Sequence, residues 1–340
     1  IGAFAFSGAD YGQPTRYTSI TLPNKLETLG AFAFQSCQFA ENELVLPNTL
    51  LWIGDGAFNH CMRFTNKSLT IPSSVIQIGR RSFGDTNGKP NEALGSHVFY
   101  NFATKNLEAF NVESGNNYFV DVDGVLYSKD KTRLVFYPSA KKGTSYKILD
   151  GVTVIDELSF GMSGTMYRST GNEMNKLTEV ILPDSFVIKD ITDDNILNKG
   201  YLNNLSAAVY KSTISEFKFS DTSSKYNEVD GCIYSKDMKT LYVIPSGKTD
   251  VTIPEGVEEI QKYAFYNCQS LRKVVLPDSI KNIREYAFYN DTDLQDINLE
   301  KVHVIGREAF RNCEKLELSS DELSKVYAIG VRAFEGCTSI

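Results

Sequence analysis

The sequence predicts a β-rich repeat solenoid, and three observations carry that prediction. An Ile or Leu followed four residues later by Ala-Phe or Ser-Phe recurs at spacings of 22–28 residues. A proline stands at one fixed distance before the next member of that series. The residues just before each such proline alternate apolar, outward, apolar. A chain of 340 residues is too long for one ordinary compact core. A solenoid escapes that limit, because its core grows along one axis as coils stack.

The first element of each coil is a strand. Ile20-Thr21-Leu22, Leu69-Thr70-Ile71 and Val251-Thr252-Ile253 show the period of two that marks a half-buried strand. Parallel strands are predicted over 20–22, 44–46, 69–71, 251–253 and 274–276. Pro23, Pro47, Pro72, Pro254 and Pro277 end them, since proline has no N–H to give to a ladder. Each lies six residues before the next Leu or Ile of the series. The second element is the return. In Ile260-Gln-Lys-Tyr-Ala264-Phe265 the Ile and Ala are four apart and would share one face of a short helical turn. Ala5-Phe6, Ala33-Phe34, Ala57-Phe58, Ser82-Phe83 and Ser159-Phe160 predict the same. A lone coil exposes an apolar edge, so coils must associate, with neighbouring strands about 4.8 Å apart.

The third element is a duplication. Gly124-Val-Leu-Tyr127-Ser-Lys-Asp130 recurs as Gly231-Cys-Ile-Tyr234-Ser-Lys-Asp237, 107 residues later. Strand-like runs flank a polar centre, which reads as a β-hairpin. These are taken as two enlarged coils, near 107–150 and 214–254. Phe110-Asn-Val112 and Phe217-Lys-Phe219 precede them as ordinary ladder strands. Residues 84–106 and 190–210 fit the repeat poorly and receive no coil. The whole of 1–340 is otherwise expected to be a single continuous solenoid.

The unit Ile-x-x-x-Ala-Phe-x-x-Cys-x-x-Leu-x-x-Val-x-Leu-Pro, spelled out from Ile260 to Pro277, resembles the BspA-like leucine-rich repeat. The Asp123-Gly124 hairpin also resembles an element of that family, and the likeness covers nearly the whole chain. It implies a leucine-rich-repeat solenoid, a right-handed superhelix with a parallel strand ladder and short helical turns. It further implies a secreted or cell-surface bacterial protein whose partners are host or bacterial surface proteins or glycans. Some members of the family act as adhesins. No catalytic motif and no cofactor come with the resemblance. Gly2 to Phe6 repeats Gly30 to Phe34 letter for letter, and Cys337-Thr-Ser-Ile340 matches Cys268-Gln-Ser-Leu271. The chain is therefore expected to be a fragment that starts and ends mid-repeat.

The formal charge of −7 argues against nucleic acid, which calls for a clustered basic face. No run reaches the length of a membrane-spanning helix, so no direct membrane insertion of this fragment is expected. Cys37, Cys61, Cys268, Cys313 and Cys337 all stand three residues after the ladder Phe, and Asp291 fills the same slot in another coil. Without a Cys-x-x-Cys pair, buried reduced thiols in a core ladder are expected. His60, His97 and His303 are isolated and suggest no triad or zinc site. Asp121-Val-Asp123-Gly124 resembles the phosphatase motif of haloacid dehalogenases, with Asp193-Asp194 as a magnesium pair. The duplicate carries Glu228 where Asp121 stands, and no alternating strand–helix pattern surrounds the motif. A haloacid-dehalogenase-like phosphatase is accordingly a remote alternative.

The leading expectation is a non-catalytic extracellular module for protein interaction or adhesion, with a structural spacer as the alternative. The outward face of the strands is the candidate ligand surface: Thr21, Val45, Thr70, Ile181, Thr252, Val275, Asn298 and Glu317. Glu43, Glu179, Asp250 and Asp296 flank it, so it should be acidic on average. The hairpin tips, Lys129-Asp130 and Lys236-Asp237, are a second candidate.

Overall fold

The computed structural model describes residues 1–7, 15–35, 37–58, 62–79, 107–156, 159–160, 176–188, 205–209, 212–319 and 321–340. His60, Cys61, Ser82-Phe83, His97, Asp193-Asp194 and the stretches 84–106 and 190–204 lie outside them. The chain divides into two compact units. The first comprises Ile1–Gly143, Gly151–Lys176 and Thr192–Asn203; the second comprises Thr144–Asp150, Leu177–Ile191 and Asn204–Ile340.

In the first unit, the strand Ser68–Ile71 pairs in parallel with Ala109–Val112, placing Leu69 beside Phe110. Leu69 and Ile71 are buried while Thr70 is exposed, as period two demands. A second parallel ladder joins Thr28–Leu29, Trp52–Ile53 and Gln77–Ile78, so the recurring Leu29, Ile53 and Ile78 stack in one buried row. A third joins Thr15–Tyr17, Cys37–Asn42 and Met62–Phe64. The second unit repeats the plan. Ser145–Lys147, Glu179–Leu182 and Glu216–Phe219 form one ladder, and Asp250–Thr252, Lys273–Val275 and Asp296–Ile297 another. Glu259–Ile260, Asn282–Ile283, Val304–Ile305 and Ala328–Ile329 carry the recurring isoleucines.

Those second ladders correct the expected helical turn. The recurring Ile closes a two-residue strand, and the return that follows it is a chain of tight turns. Ala33, Gln35 and Cys37 donate to the carbonyls of Gly30, Phe32 and Phe34 at 3.3, 3.1 and 3.2 Å. The Phe34 amide instead crosses to the Ala57 carbonyl of the next coil at 2.8 Å, and Phe265 to Ala287 at 2.8 Å. Amides spent between coils are lost to an intracoil helix. The residue before Ala also has positive φ, at 55° for Phe32, 60° for Tyr263 and 58° for Tyr286, which no right-handed helix accommodates. Leu205–Ala208 is the one α-helix among the described residues.

Strands at 69–71, 251–253 and 274–276 are observed to within a residue, as Ser68–Ile71, Asp250–Thr252 and Lys273–Val275. Residues 20–22 and 44–46 keep the alternation but are not strands. At Leu44 the reason is visible: the Asn66 side chain accepts from its N–H at 2.8 Å and donates to its C=O at 3.0 Å. One amide side chain does the work of a neighbouring strand. The aromatic ladder runs inside these coils. Phe6, Phe34 and Phe58 stack at 5.1 and 5.7 Å. Phe265, Phe288, Phe310 and Phe334 stack at 4.3, 4.9 and 5.3 Å.

Each expected hairpin is observed and gains a strand. Phe119–Val122, Val125–Ser128 and Arg133–Phe136 make an antiparallel meander whose last strand runs parallel to Val154–Ile155. Tyr226–Val229, Cys232–Ser235 and Thr240–Val243 do the same against Glu259–Ile260. Asp123 and Gly124 turn the first corner at φ 48° and 73°, and Asp230 and Gly231 the equivalent one at 48° and 70°. Two consecutive left-handed residues make the tight hairpin turn that Asp-Gly favours. Ala109–Val112 and Glu216–Phe219 flank the meanders as ladder strands, with Phe110 and Phe217 donating to the Gly124 and Gly231 carbonyls at 2.8 and 3.0 Å.

Candidate binding surface

Every second side chain of a ladder points outward, and that rule locates the expected surface. Thr21, Thr70, Thr252 and Glu317 are exposed, as are Val45 at 71 % and Val275 at 37 %. Thr252 and Val275 are direct register neighbours. Ile181 is half-buried, between Lys147 and Lys218 in register. Asn298 differs in kind. Its Oδ1 accepts from the Leu276 N–H at 2.7 Å and its Nδ2 donates to the Leu276 C=O at 2.9 Å. It is a brace of the same design as Asn66, and its polar atoms are spent on the fold. Sequence reasoning missed Asn111, exposed beside Thr70, and the Lys147 and Lys218 pair. The signal was there in Phe110-Asn-Val112 and Phe217-Lys-Phe219, whose middle residues are outward by the same alternation.

The expected acidity of this face is offset in the second unit. Lys218 pairs with Glu179 and also with Glu216, the latter at 2.9 Å, and Lys273 pairs with Asp296 at 2.5 Å. A whole coil of sequence separates Lys218 from Glu179 and Lys273 from Asp296, but the ladders bring them together, while Glu216 shares the strand of Lys218. Glu43 and Asp250 are exposed.

The meander tips are largely occupied with their own turns. Asp130 accepts from the Ser128 hydroxyl at 2.6 Å and the Thr132 amide at 3.0 Å, which hold its carboxyl below the usual range. Asp237 receives the Ser235 hydroxyl at 2.6 Å and the Lys239 amide at 3.0 Å, with the same effect. Lys236 donates to the Ser223 carbonyl at 2.6 Å, whereas Lys129 is simply exposed.

The phosphatase-like run has a structural account. Asp121 accepts from the Val112 N–H at 2.8 Å, and Glu228 of the duplicate accepts from the Gly231 N–H at 2.7 Å. Lys141 reaches the Asp123 carboxylate at 2.8 Å, and Lys248 the Asp230 carboxylate at 3.0 Å. Both copies thus clamp the Asp-Gly corner with a lysine from the segment after the third strand. Asp123, the second acid of the run and its would-be proton donor, is 82 % exposed, the opposite of the enclosed setting phosphoryl transfer requires.

The cysteine slot is a hydrogen-bonded ladder. The thiols of Cys37, Cys313 and Cys337 donate to the carbonyls of Phe6, Phe288 and Phe310, one coil earlier, at 2.9, 3.1 and 3.0 Å. Burial pushes the Cys268 and Cys313 thiols far up, Cys232 to about 12 and half-buried Cys337 to about 11. Thiolate is the reactive form, so native thiol titration at neutral pH should report few groups, led by Cys337. Denaturant should expose all six cysteines. Rapid native labelling of Cys268 and Cys313 would overturn the buried ladder.

A family model described as a BspA type leucine rich repeat region matches residues 1–121 and 246–340, in six copies. No curated protein matches the chain. Among solved structures, a leucine-rich repeat protein from Eubacterium ventriosum is 21 % identical over 90 % of this chain and 73 % of its own, with a TM-score of 0.45. The pneumococcal vaccine antigen PcpA is 22 % identical over 93 % of this chain, with a TM-score of 0.37; this chain spans 54 % of it. A leucine-rich cell surface protein from Faecalibacterium prausnitzii is 19 % identical over 89 % of this chain and 88 % of its own, with a TM-score of 0.37.

Proposed function

The chain belongs to the BspA-type leucine-rich-repeat family, and from that premise we propose that it is an extracellular or cell-surface module that binds macromolecules without catalysis. One observation carries the reading. The first unit presents Val45 and Thr70 to solvent, and the second presents Thr252 and Val275 side by side in register. β-Branched side chains are stiff at χ1, so a partner docking on them orders little that is not already ordered. Exposed valines among threonines offer apolar contact with hydroxyls beside it, a surface suited to protein or glycan. A spacer would gain nothing from leaving Val45 bare.

Catalysis finds no support in the same geometry. The acidic run at Asp121 and Asp123 builds a corner, and family folds of this type are generally non-catalytic. Family membership supports reading the chain as a secreted or surface protein. No described helix is long and apolar enough to cross a membrane.

The test is a panel of immobilised host matrix proteins and glycans probed with the folded chain. Saturable binding to one class, with Kd of about 10 μM or tighter, is the expected result. A folded chain that saturates on no member of the panel would instead favour the spacer.

A further inference from the structure

Asp291 stands where its neighbouring coils carry cysteine. Its side chain is fully buried, with the thiols of Cys268 and Cys313 facing it from the coils before and after. Oδ1 accepts the Cys268 N–H at 2.7 Å. Oδ2 is buried without a hydrogen-bond partner. A carboxylate in this place would put a whole charge between two neutral thiols, with one amide to solvate it. An unpaired buried charge is far costlier than an unpaired buried neutral group.

Glu308, one coil along, shows what compensation looks like. It is 3 % exposed, yet Arg311 at 2.8 Å and Arg307 at 3.2 Å flank it. Burial pushes its carboxyl up, and the two arginines more than reverse that. Among the described residues, Asp291 has no such cation. Burial drives its carboxyl well above the usual range, opposed only by the Cys268 amide.

We propose that Asp291 is a proton-dependent clasp: as the neutral acid it completes the ladder between the coils of Cys268 and Cys313, and loss of its proton to solvent loosens the contact of its own coil with theirs. The unfolded chain gives up this proton in the ordinary aspartate range, near pH ~3.9. The native chain holds it to a higher pH. Below the unfolded value both states are protonated and the clasp contributes fully. Its contribution is lost as pH rises from there toward the native value, because the unfolded state alone ionises. The coils are therefore tightened by acid and relaxed by base.

The experiment is urea unfolding of the full chain from about pH 5 to about pH 8, comparing wild type with Asp291→Asn and Asp291→Cys. Asparagine keeps the acceptor for the Cys268 amide and cannot ionise. Cysteine restores the residue of the adjacent coils and decides the matter if asparagine fails to fold. The wild-type unfolding constant should rise relative to either variant, by about tenfold per pH unit inside the window. Parallel pH profiles for all three chains would overturn the proposal. The infrared carbonyl band of a neutral acid, present in wild type at neutral pH and missing from Asp291→Asn, is the second expected result. Its absence from wild type would overturn the proposal as well.

Discussion

Phe265→Ala should lower stability by about 3–5 kcal/mol, whereas Lys315→Ala should change it by less than about 0.5 kcal/mol. Phe265 is completely buried and its ring lies 4.3 Å from that of Phe288. Truncation removes apolar area from the core and leaves a cavity that the coil cannot close. The Phe265 amide is tied to Ala287 at 2.8 Å and the Cys268 amide to Phe265 at 3.0 Å, so the backbone is held open around the hole. Offset aromatic stacking adds a further ~0.5–1.5 kcal/mol per pair to what burial alone contributes. Lys315 is 57 % exposed, and its pair with Asp293 spans solvent. Exposed pairs of this kind contribute about 0–1 kcal/mol. Denaturant midpoints measure the contrast. Matching midpoints for the two variants would place Phe265 outside the core.

The second large effect belongs to Asp156→Ala, at about 2–4 kcal/mol. Arg133 grips Asp156 with both ends of its fork, Nε to Oδ1 at 2.6 Å and Nη2 to Oδ2 at 2.7 Å. The carboxylate is wholly buried and the guanidinium 20 % exposed. Removing the acid strands a charge that reaches solvent only in part. That partial access places the expected cost below that of a fully enclosed pair. The pair also joins the last meander strand to Val154–Ile155, a contact with only two register partners, Arg133↔Val154 and Leu134↔Ile155. Arg133→Lys keeps the charge but loses the planar fork, so it should fall between wild type and Asp156→Ala. Thermal or urea unfolding orders the three chains. An Asp156→Ala chain as stable as wild type would show the pair to be energetically idle.

The strands were legible because burial imposes alternation directly on the sequence. Leu69-Thr70-Ile71 and Val251-Thr252-Ile253 read correctly, and the proline register fixed where each coil turns. The return was misread for a physical reason. Ile and Ala four apart suit a helix and a stacked turn equally well. The left-handed residue that rules out the helix is Phe32, Tyr263 or Glu308, none of which advertises positive φ. A clearer cue lay further on. Asn267, Asn290 and Asn312 have φ of 59°, 63° and 61°, and Gly336 takes the same place in the next coil. Asn and Gly tolerate that region best, so their recurrence marks a turn. The braces Asn66 and Asn298 were hidden, because an asparagine at an outward position reads as a surface residue until its partner strand is known. The extra meander strand was hidden by Asp123-Gly124, which reads equally as a strand opening or as a corner. The exposure of Thr21, Val45, Thr70, Thr252, Val275 and Glu317 was legible from alternation alone. Its charge balance was not, since Lys218 and Glu179 meet only through the ladder.

The most direct test of the account is the affinity of the folded chain for whichever panel ligand it captures, measured before and after charge is placed on the outward row. Val45→Glu and Val275→Glu both alter exposed outward positions, the second on a ladder strand, and leave the core untouched. A loss of affinity of at least about tenfold, equal to ~1.4 kcal/mol, in one or both variants is the predicted result, with unfolding midpoints unchanged. Full affinity in both, with the loss appearing instead in Lys129→Glu at the meander tip, would contradict the assignment of binding to the strand face.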